Sequence, residues 1–412
     1  MTPLDLLPPL RVDIDLIPAN VGGGELLVVR DPLGIVRPDT ALLPEIVPYL
    51  PLFNGSLTTG DLQVAMMRRR SGNLVFRSEA EDFVRELDRL GLLQTQAYHE
   101  AREKIAREFA NMTRRPAALA GSAYPADPGA LAALADRILQ LPGAAPVPLA
   151  VDGAPCALAA PHIDLRVAEK TYGIAYRSIR HLKPSAILLL GTGHALGGNR
   201  YSVSSKTFET PLGRVTSDRE ACDMLRKAAP EALAADDFAH RSEHSLEFQL
   251  LFLQRIFPME KVPILPVLCG PIEDLFGKAG SPLEVPAIGA FIAALRDWLA
   301  APPRGKFVVA GVDLSHVGPK FGDPEPARAL EPSFRAFDGE LLAALSDGDA
   351  VRFFAAGASA GNRFRVCGFS SLWTLLALLP GARGTVLDYG VWHEEPTRSA
   401  VSFTATAFHH PA

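Results

Sequence analysis

Three histidines in this chain follow short runs of β-forming residues, and imidazoles delivered in that way could share one metal ion. His194 comes after Ala186-Ile187-Leu188-Leu189-Leu190 and the breaker Gly191-Thr192-Gly193. His162 follows Ala157-Leu158-Ala159-Ala160-Pro161, and His316 follows Phe307-Val308-Val309-Ala310-Gly311-Val312 through Asp313-Leu314-Ser315. None of these runs alternates apolar with polar residues, so each reads as a strand covered on both faces. Ligands of open α/β sheets bind outside the carboxyl ends of the strands, and the three imidazoles are expected to meet in one crevice there. His244 is a fourth candidate, because Glu243-His244-Ser245-Leu246-Glu247 opens a helix after a polar approach. Taken singly, each would be read as a hydrogen-bonded structural histidine; the shared position favours a site.

A metal also needs donors that are unprotonated near neutral pH, which neutral imidazole, thiolate and carboxylate supply. Cys367, in Val366-Cys367-Gly368-Phe369-Ser370-Ser371, precedes an apolar helix over 372–379, and a helix N-terminus makes a thiol easier to ionise. That makes Cys367 the best third ligand, with Cys269, also at a strand end, as its competitor. Cys156 is near His162 in sequence but on the far side of the strand. For all four cysteines the bland alternative is a small buried hydrophobe. Of the other histidines, His99 and His181 sit among charged residues on helices, His409 and His410 are expected at a frayed end, and His240 and His393 are open to either reading.

The elements that must position these groups alternate. After the loop at Pro142–Pro148 come the strand before His162, a helix over 167–182, the strand before His194, and helices over 217–229 and 243–257. A strand over 262–268, a helix over 284–299 and the strand before His316 follow. This pattern predicts α/β architecture with a mixed, mostly parallel sheet and helices on both faces.

The chain has 412 residues, 48% hydrophobic and 21% charged, with a net charge of −5. That length favours two or three domains, and the charge gives no electrostatic case for nucleic acid. Four cysteines without a Cys-x-x-Cys pair are not a disulfide framework, so a cytoplasmic location is expected. Met1-Thr2-Pro3-Leu4-Asp5 lacks the basic and apolar regions of a signal peptide, and no apolar run is long enough to span a membrane.

Residues 1–96 have a character of their own. Glu25-Leu26-Leu27-Val28-Val29-Arg30 runs into the turn Asp31-Pro32-Leu33-Gly34, Thr58 starts a helix to Arg70, and Ser78-Glu79-Ala80-Glu81 reads as a capping box for another that stops at Gly91. This predicts a small α+β winged-helix-like domain, and residues 97–116 read as a linking helix with Ala101, Ile105 and Phe109 on one stripe. Arg68-Arg69-Arg70 is read as a solvated helix end, where cations suit the macrodipole, rather than as a duplex-binding patch.

At the Asp31-Pro32-Leu33-Gly34, Leu52-Phe53-Asn54-Gly55 and Leu90-Gly91-Leu92-Leu93 positions the N-terminal region resembles PqqD-like modules, which implies a peptide or protein ligand. Residues 117–412 resemble the Memo family, related in fold to class III extradiol ring-cleavage dioxygenases. The matching motifs are Ala120-Gly121-Ser122-Ala123-Tyr124, Ala160-Pro161-His162, Leu190-Gly191-Thr192-Gly193-His194, Glu243-His244-Ser245-Leu246-Glu247, Val312-Asp313-Leu314-Ser315-His316 and Val366-Cys367-Gly368. The resemblance implies a metal held by His162, His194 and Cys367, with Asp313, His316 and His244 lining the cleft. It also implies a radical-SAM protein and a third component as partners. The chain departs from the family pattern at Ala195 and Gln249, where members often have histidine, and at Phe369-Ser370-Ser371, where many have Arg-His-Pro.

Two functions are expected from this set. One is an oxidoreductase of dioxygenase-like type using Fe2+, or alternatively Cu+ or Zn2+, with His316 as acid or base oriented by Asp313, and His244 as a second proton donor. The other is a non-catalytic metal- or peptide-binding scaffold. A hydrolase with Glu243 as base ranks behind both.

Overall fold

Strands that are apolar throughout need cover on both sides, and that requirement shapes the larger part of the molecule. The structure is a computed structural model and describes residues 6–21, 24–142 and 154–410. The loop expected at Pro142–Pro148 lies outside the described residues from Gly143 onward, as do Met1–Asp5. The chain forms two compact units, Met1–Asn111 and Met112–Ala412.

The first unit holds a three-stranded antiparallel sheet in the order β1 (Asp15–Val21), β2 (Gly24–Arg30), β3 (Ala41–Leu42), with helices α1 (Thr59–Arg69), α2 (Arg77–Arg89) and α3 (Gln96–Asn111). Asp31 explains the turn after β2: its carboxylate accepts the N–H groups of Leu33, Ile35 and Val36 at 2.7 to 2.9 Å and pairs with the buried Arg11 at 2.7 Å. The Thr58 capping box closes reciprocally with Asp61. The expected box at Ser78 does not form, since α2 starts at Arg77 and Glu79 reaches back to the Phe76 N–H at 2.9 Å. Arg68, Arg69 and Arg70 are exposed at the end of α1.

The second unit opens with β4 (Arg114–Arg115) and α4 (Pro128–Gln140). Then come β5 (Ala157–Ala160), α5 (Glu169–Ile179), β6 (Ile187–Thr192), the short strands β7 (Tyr201–Val203), β8 (Thr207–Thr210) and β9 (Gly213–Val215), and α6 (Arg219–Ala228). Next are α7 (His244–Ile256), β10 (Ile264–Cys269), α8 (Pro286–Ala300), β11 (Phe307–Gly311) and β12 (Asp313–Val317). Helices α9 (Ala327–Asp347), α10 (Ala350–Ala360) and α11 (Phe369–Leu378) precede the hairpin of β13 (Arg383–Glu394) and β14 (Ser399–His409).

Eight of these strands make one mixed sheet, β12-β14-β5-β11-β6-β10-β7, with β13 on the other side of β14. Its centre, β5-β11-β6-β10, is parallel, as the crossover helices require. Helices α4, α5 and α7 cover one face, and α6, α8, α9, α10 and α11 the other. Register aligns the strand ends: Ala160, Gly311, Gly191 and Leu268 stand in one row across four strands.

Two expectations need correction. His316 does not simply follow the strand over 307–312; after Val312 the chain crosses to pair with β14, and His316 lies inside a second strand, β12. His409 is not frayed but ends β14 as a fully buried residue, because both sides of β14 are occupied. No helix of the described residues is long and apolar enough to cross a membrane.

Candidate metal centre

Just beyond the aligned row, the ends of β5, β11 and β6 present their next residues to one place. His162 leaves β5 fully buried, His194 leaves β6 with its side chain 40% exposed, and α7 brings His244 between them. Ring centroids are 5.3 Å apart for His162 and His194, 5.0 Å for His162 and His244, and 4.7 Å for His194 and His244. Two glycines permit this approach. A Cβ at Gly191 would meet the Ser245 hydroxyl at 2.5 Å, and one at Gly311 would meet the Ser245 carbonyl at 2.1 Å, so α7 sits directly on both strands.

Each ring nitrogen has a defined duty. Nδ1 of His162 lies 2.9 Å from the Gly311 carbonyl, Nδ1 of His194 lies 3.0 Å from the Glu243 carboxylate, and Nδ1 of His316 lies 2.9 Å from the Leu314 carbonyl. Carbonyl and carboxylate oxygens only accept, so all three Nδ1 atoms carry the hydrogen and donate it. Nε2 of each ring is thereby left for a ligand. On His162 that atom faces the Cys367 sulfur at 3.2 Å and Oδ2 of Asp313 at 3.5 Å.

Cys367 arrives from the other face of the sheet, two residues before α11, and is half-buried. Its carbonyl accepts from Thr192 Oγ1 at 3.2 Å, and the Gly368 N–H donates to the Asp313 carbonyl at 3.1 Å. Donor atoms of His162, His194 and Cys367 all lie within 4.8 Å of one another. The same spacing holds for His194, Glu243 and His244, and for Asp313, His316 and Cys367.

Electrostatics follow from this packing. Burial alone would raise the Cys367 thiol, but His162 and His316 outweigh it and hold the sulfur well below the usual thiol range. Burial would depress His162, yet the thiolate and Asp313 bring it up to about 9. His194 is raised against its burial by Glu243 and Cys367. Asp313 is raised because burial exceeds the pull of His162. Cys269 and Cys156 behave otherwise: burial pushes them up to about 12 and about 11, and among the described residues neither falls in a donor group.

Asp313 does not orient His316, as its sequence position suggested. Its Oδ1 accepts the His162 backbone N–H at 3.0 Å, and the Leu314 carbonyl sets the His316 ring. Glu243 was weighed only as a base; here its carboxylate is occupied by His194, the Ser245 N–H at 2.9 Å and His244 at 3.3 Å, so it orients rather than reacts. Its place directly before His244 was the available signal. Gln249 has no access to the cleft: it donates to the Pro161 carbonyl at 2.9 Å and accepts from Tyr176 at 2.5 Å, holding the residue before His162.

A cleft of about 470 Å³ opens beside the cluster, lined among others by Thr192, His194, Cys269, Asn362, Arg365 and Cys367. Behind the cluster, buried Arg115 pairs with buried Glu247 and donates to the carbonyls of His240 and Glu243 at 2.9 Å. Glu247 also takes the N–H groups of Ala118 and Leu119 at 2.9 Å and the Tyr124 hydroxyl. This accounts for the Ala120–Tyr124 motif, which anchors α7.

Residues 115–407 match the family model described as Memo-like protein. The chain is 32% identical to a MEMO1 family protein of Aquifex aeolicus over 94% of this chain and 96% of that one. It is 33% identical to a MEMO1 family protein of Thermus thermophilus, over 81% and 94% respectively. A MEMO1 family protein of Archaeoglobus fulgidus is 27% identical over 69% of this chain and 94% of its own length.

Proposed function

Because the chain belongs to the Memo-like protein family, we propose that the cluster of His162, His194 and Cys367 is a transition-metal centre serving oxidoreductase chemistry. The observation that carries this reading is that three donors from three distant segments come within 4.8 Å of one another, each imidazole with Nδ1 committed to an acceptor and Nε2 turned inward. Two imidazoles and one thiolate suit Fe2+, Cu+ or Zn2+, and exclude hard ions such as magnesium, which prefer oxygen ligands. Iron or copper would supply electron transfer or Lewis acidity to a ligand in the cleft.

The chain's own residues do the rest. Glu243, Gly311 and Leu314 fix the rings, which removes the entropy cost of orienting them when a metal binds. His316 and His244 stand at the edge of the donor set, with Nε2 of His316 free to hold or release a proton toward a ligand. The buried strand ends and α7 exclude water from His162, while the cleft admits it at His194.

A thiolate donor favours Cu+ or Zn2+ as readily as iron, and this favours a second reading, a metal-holding scaffold without turnover. One experiment tests both. Protein purified without added metal should contain close to one iron or copper per chain, lost in His162→Ala and Cys367→Ser; retention in both variants removes the ligand set. Anaerobic Fe2+ loading followed by oxygen uptake with a panel of catechols then separates catalyst from scaffold.

A further inference from the structure

Of the three donors, Cys367 is the one that no strand delivers. It ends the segment that follows α10, and within that segment the side chain of Asn362 holds the backbone next to the cysteine. Gly361 caps α10 in the left-handed region at φ 58°, and Asn362 and Arg365 follow there at φ 46° and 53° without being glycine. Left-handed backbone is disfavoured for L residues, and asparagine is among the side chains that tolerate it.

Asn362 does more than tolerate it. Its Oδ1 accepts the Val366 N–H at 3.0 Å, and its Nδ2 donates to Glu273 at 2.9 Å and reaches the Val366 carbonyl at 3.5 Å. Its own carbonyl accepts from the Arg365 N–H at 2.7 Å, closing the turn from inside. One amide therefore grips both backbone groups of the residue before Cys367. Glu273 is itself fixed by the Ile272 N–H at 2.9 Å, on the turn that follows β10 and lines the same cleft. Segment and turn are tied through Asn362, while the Phe364 carbonyl accepts from the His316 N–H at 2.7 Å.

We infer that Asn362 is the positioning residue for the Cys367 thiolate, setting where the sulfur stands against the rings of His162 and His194. The inference rests on the reading of Cys367 as a ligand. Both ends of the amide are needed: a carboxylate would keep the acceptor for Val366 but would face Glu273 with like charge.

The test uses the full chain with Co2+ as the probe, reading the thiolate-to-cobalt charge-transfer band, the Co2+ affinity and the melting temperature. Loss of the band in Cys367→Ser establishes the ligand; a wild type with no such band fails the metal-centre reading itself. Asn362→Gly keeps the left-handed backbone accessible and deletes only the amide. It is expected to bind Co2+ at least tenfold more weakly, with the band shifted or lost and melting within a few degrees of wild type. The pair Asn362→Asp with Glu273→Gln reverses the polarity of that hydrogen bond and keeps the acceptor facing Val366, giving up only the 3.5 Å contact to the Val366 carbonyl, and is expected to recover the band and most of the affinity. Asn362→Gly with wild-type affinity and band, or a folded double variant that recovers neither, overturns the inference.

Discussion

Glu243 and His194 meet at 3.0 Å through a carboxylate oxygen and Nδ1, and this contact decides which nitrogen of His194 faces the sulfur of Cys367. Burial would raise Glu243, but His194 and His244 hold it far below the ordinary carboxylate range, so the group stays ionised. Glu243→Gln keeps the shape and removes the charge. Its metal affinity is expected to fall by about 10- to 100-fold; chelator competition showing an unchanged affinity would remove the orienting role.

Loading should depend on pH with a definite sign. His162, brought up to about 9, carries a proton on Nε2 at neutral pH, and a metal must displace it. His194, raised as well, must lose a proton in the same way, so affinity should rise with pH from 6 through about 9, with protons released on binding over that range. Calorimetry in buffers of different ionisation enthalpy measures the release, and a flat profile contradicts the account.

His240 gives a stability effect of its own. Burial lowers it to about 4, so the unfolded chain takes up the proton first as pH falls. Its contribution is steady above the ordinary histidine value near 6.5 and declines between there and about 4, by roughly 1.4 kcal/mol for each pH unit crossed. Urea unfolding at several pH values should show this slope in the wild type and lose it in His240→Gln.

Gly311 admits no side chain, since a Cβ there would lie 2.1 Å from the Ser245 carbonyl and 2.7 Å from Gln249. Gly311→Ala must push α7 away and carry His244 with it. Overpacking of this kind costs on the order of 1–3 kcal/mol; a variant with wild-type melting and metal content would show that the strand end yields instead.

Arg115 and Glu247 are both wholly buried, so removing one strands the other. Arg115→Ala should cost about 3–5 kcal/mol. The loss should also reach Glu243, whose carbonyl Arg115 holds, and appear as weaker metal binding in whatever folded protein remains. Denaturant titration and metal content check the two parts separately.

Much of this was legible in the sequence because full burial leaves a plain mark. The runs before His162 and His194 are apolar on both faces, and strands follow. The apolar helix expected after Cys367 forms as α11, and the sulfur stands within 4.8 Å of the His162 and His194 donor atoms. What escaped was structure whose burial is polar. In β14, Ser402, Thr404 and Thr406 alternate with apolar residues, the pattern of a strand with one solvated face, yet all three are fully buried, with Ser402 donating to Asp338 at 2.6 Å and Thr404 to the Asp388 carbonyl at 3.0 Å. Pairing with β14 is what makes Asp313–Val317 a strand, and nothing local to His316 shows that a second strand follows the run over 307–312. The duties of Glu243 and Asn362 depend on groups far along the chain, which no local pattern records.

One edge of β14 is shared by two strands: β5 pairs with Thr406–Phe408 and β12 with Ala400–Phe403. Strand β14 is therefore the ruler that spaces His162 from Asp313 and His316. During synthesis the imidazoles emerge long before that ruler, so a nascent chain holds the ligands without their spacing. The donors take up their final spacing only once β14 has paired with both strands, and metal can be captured in that geometry only after this pairing.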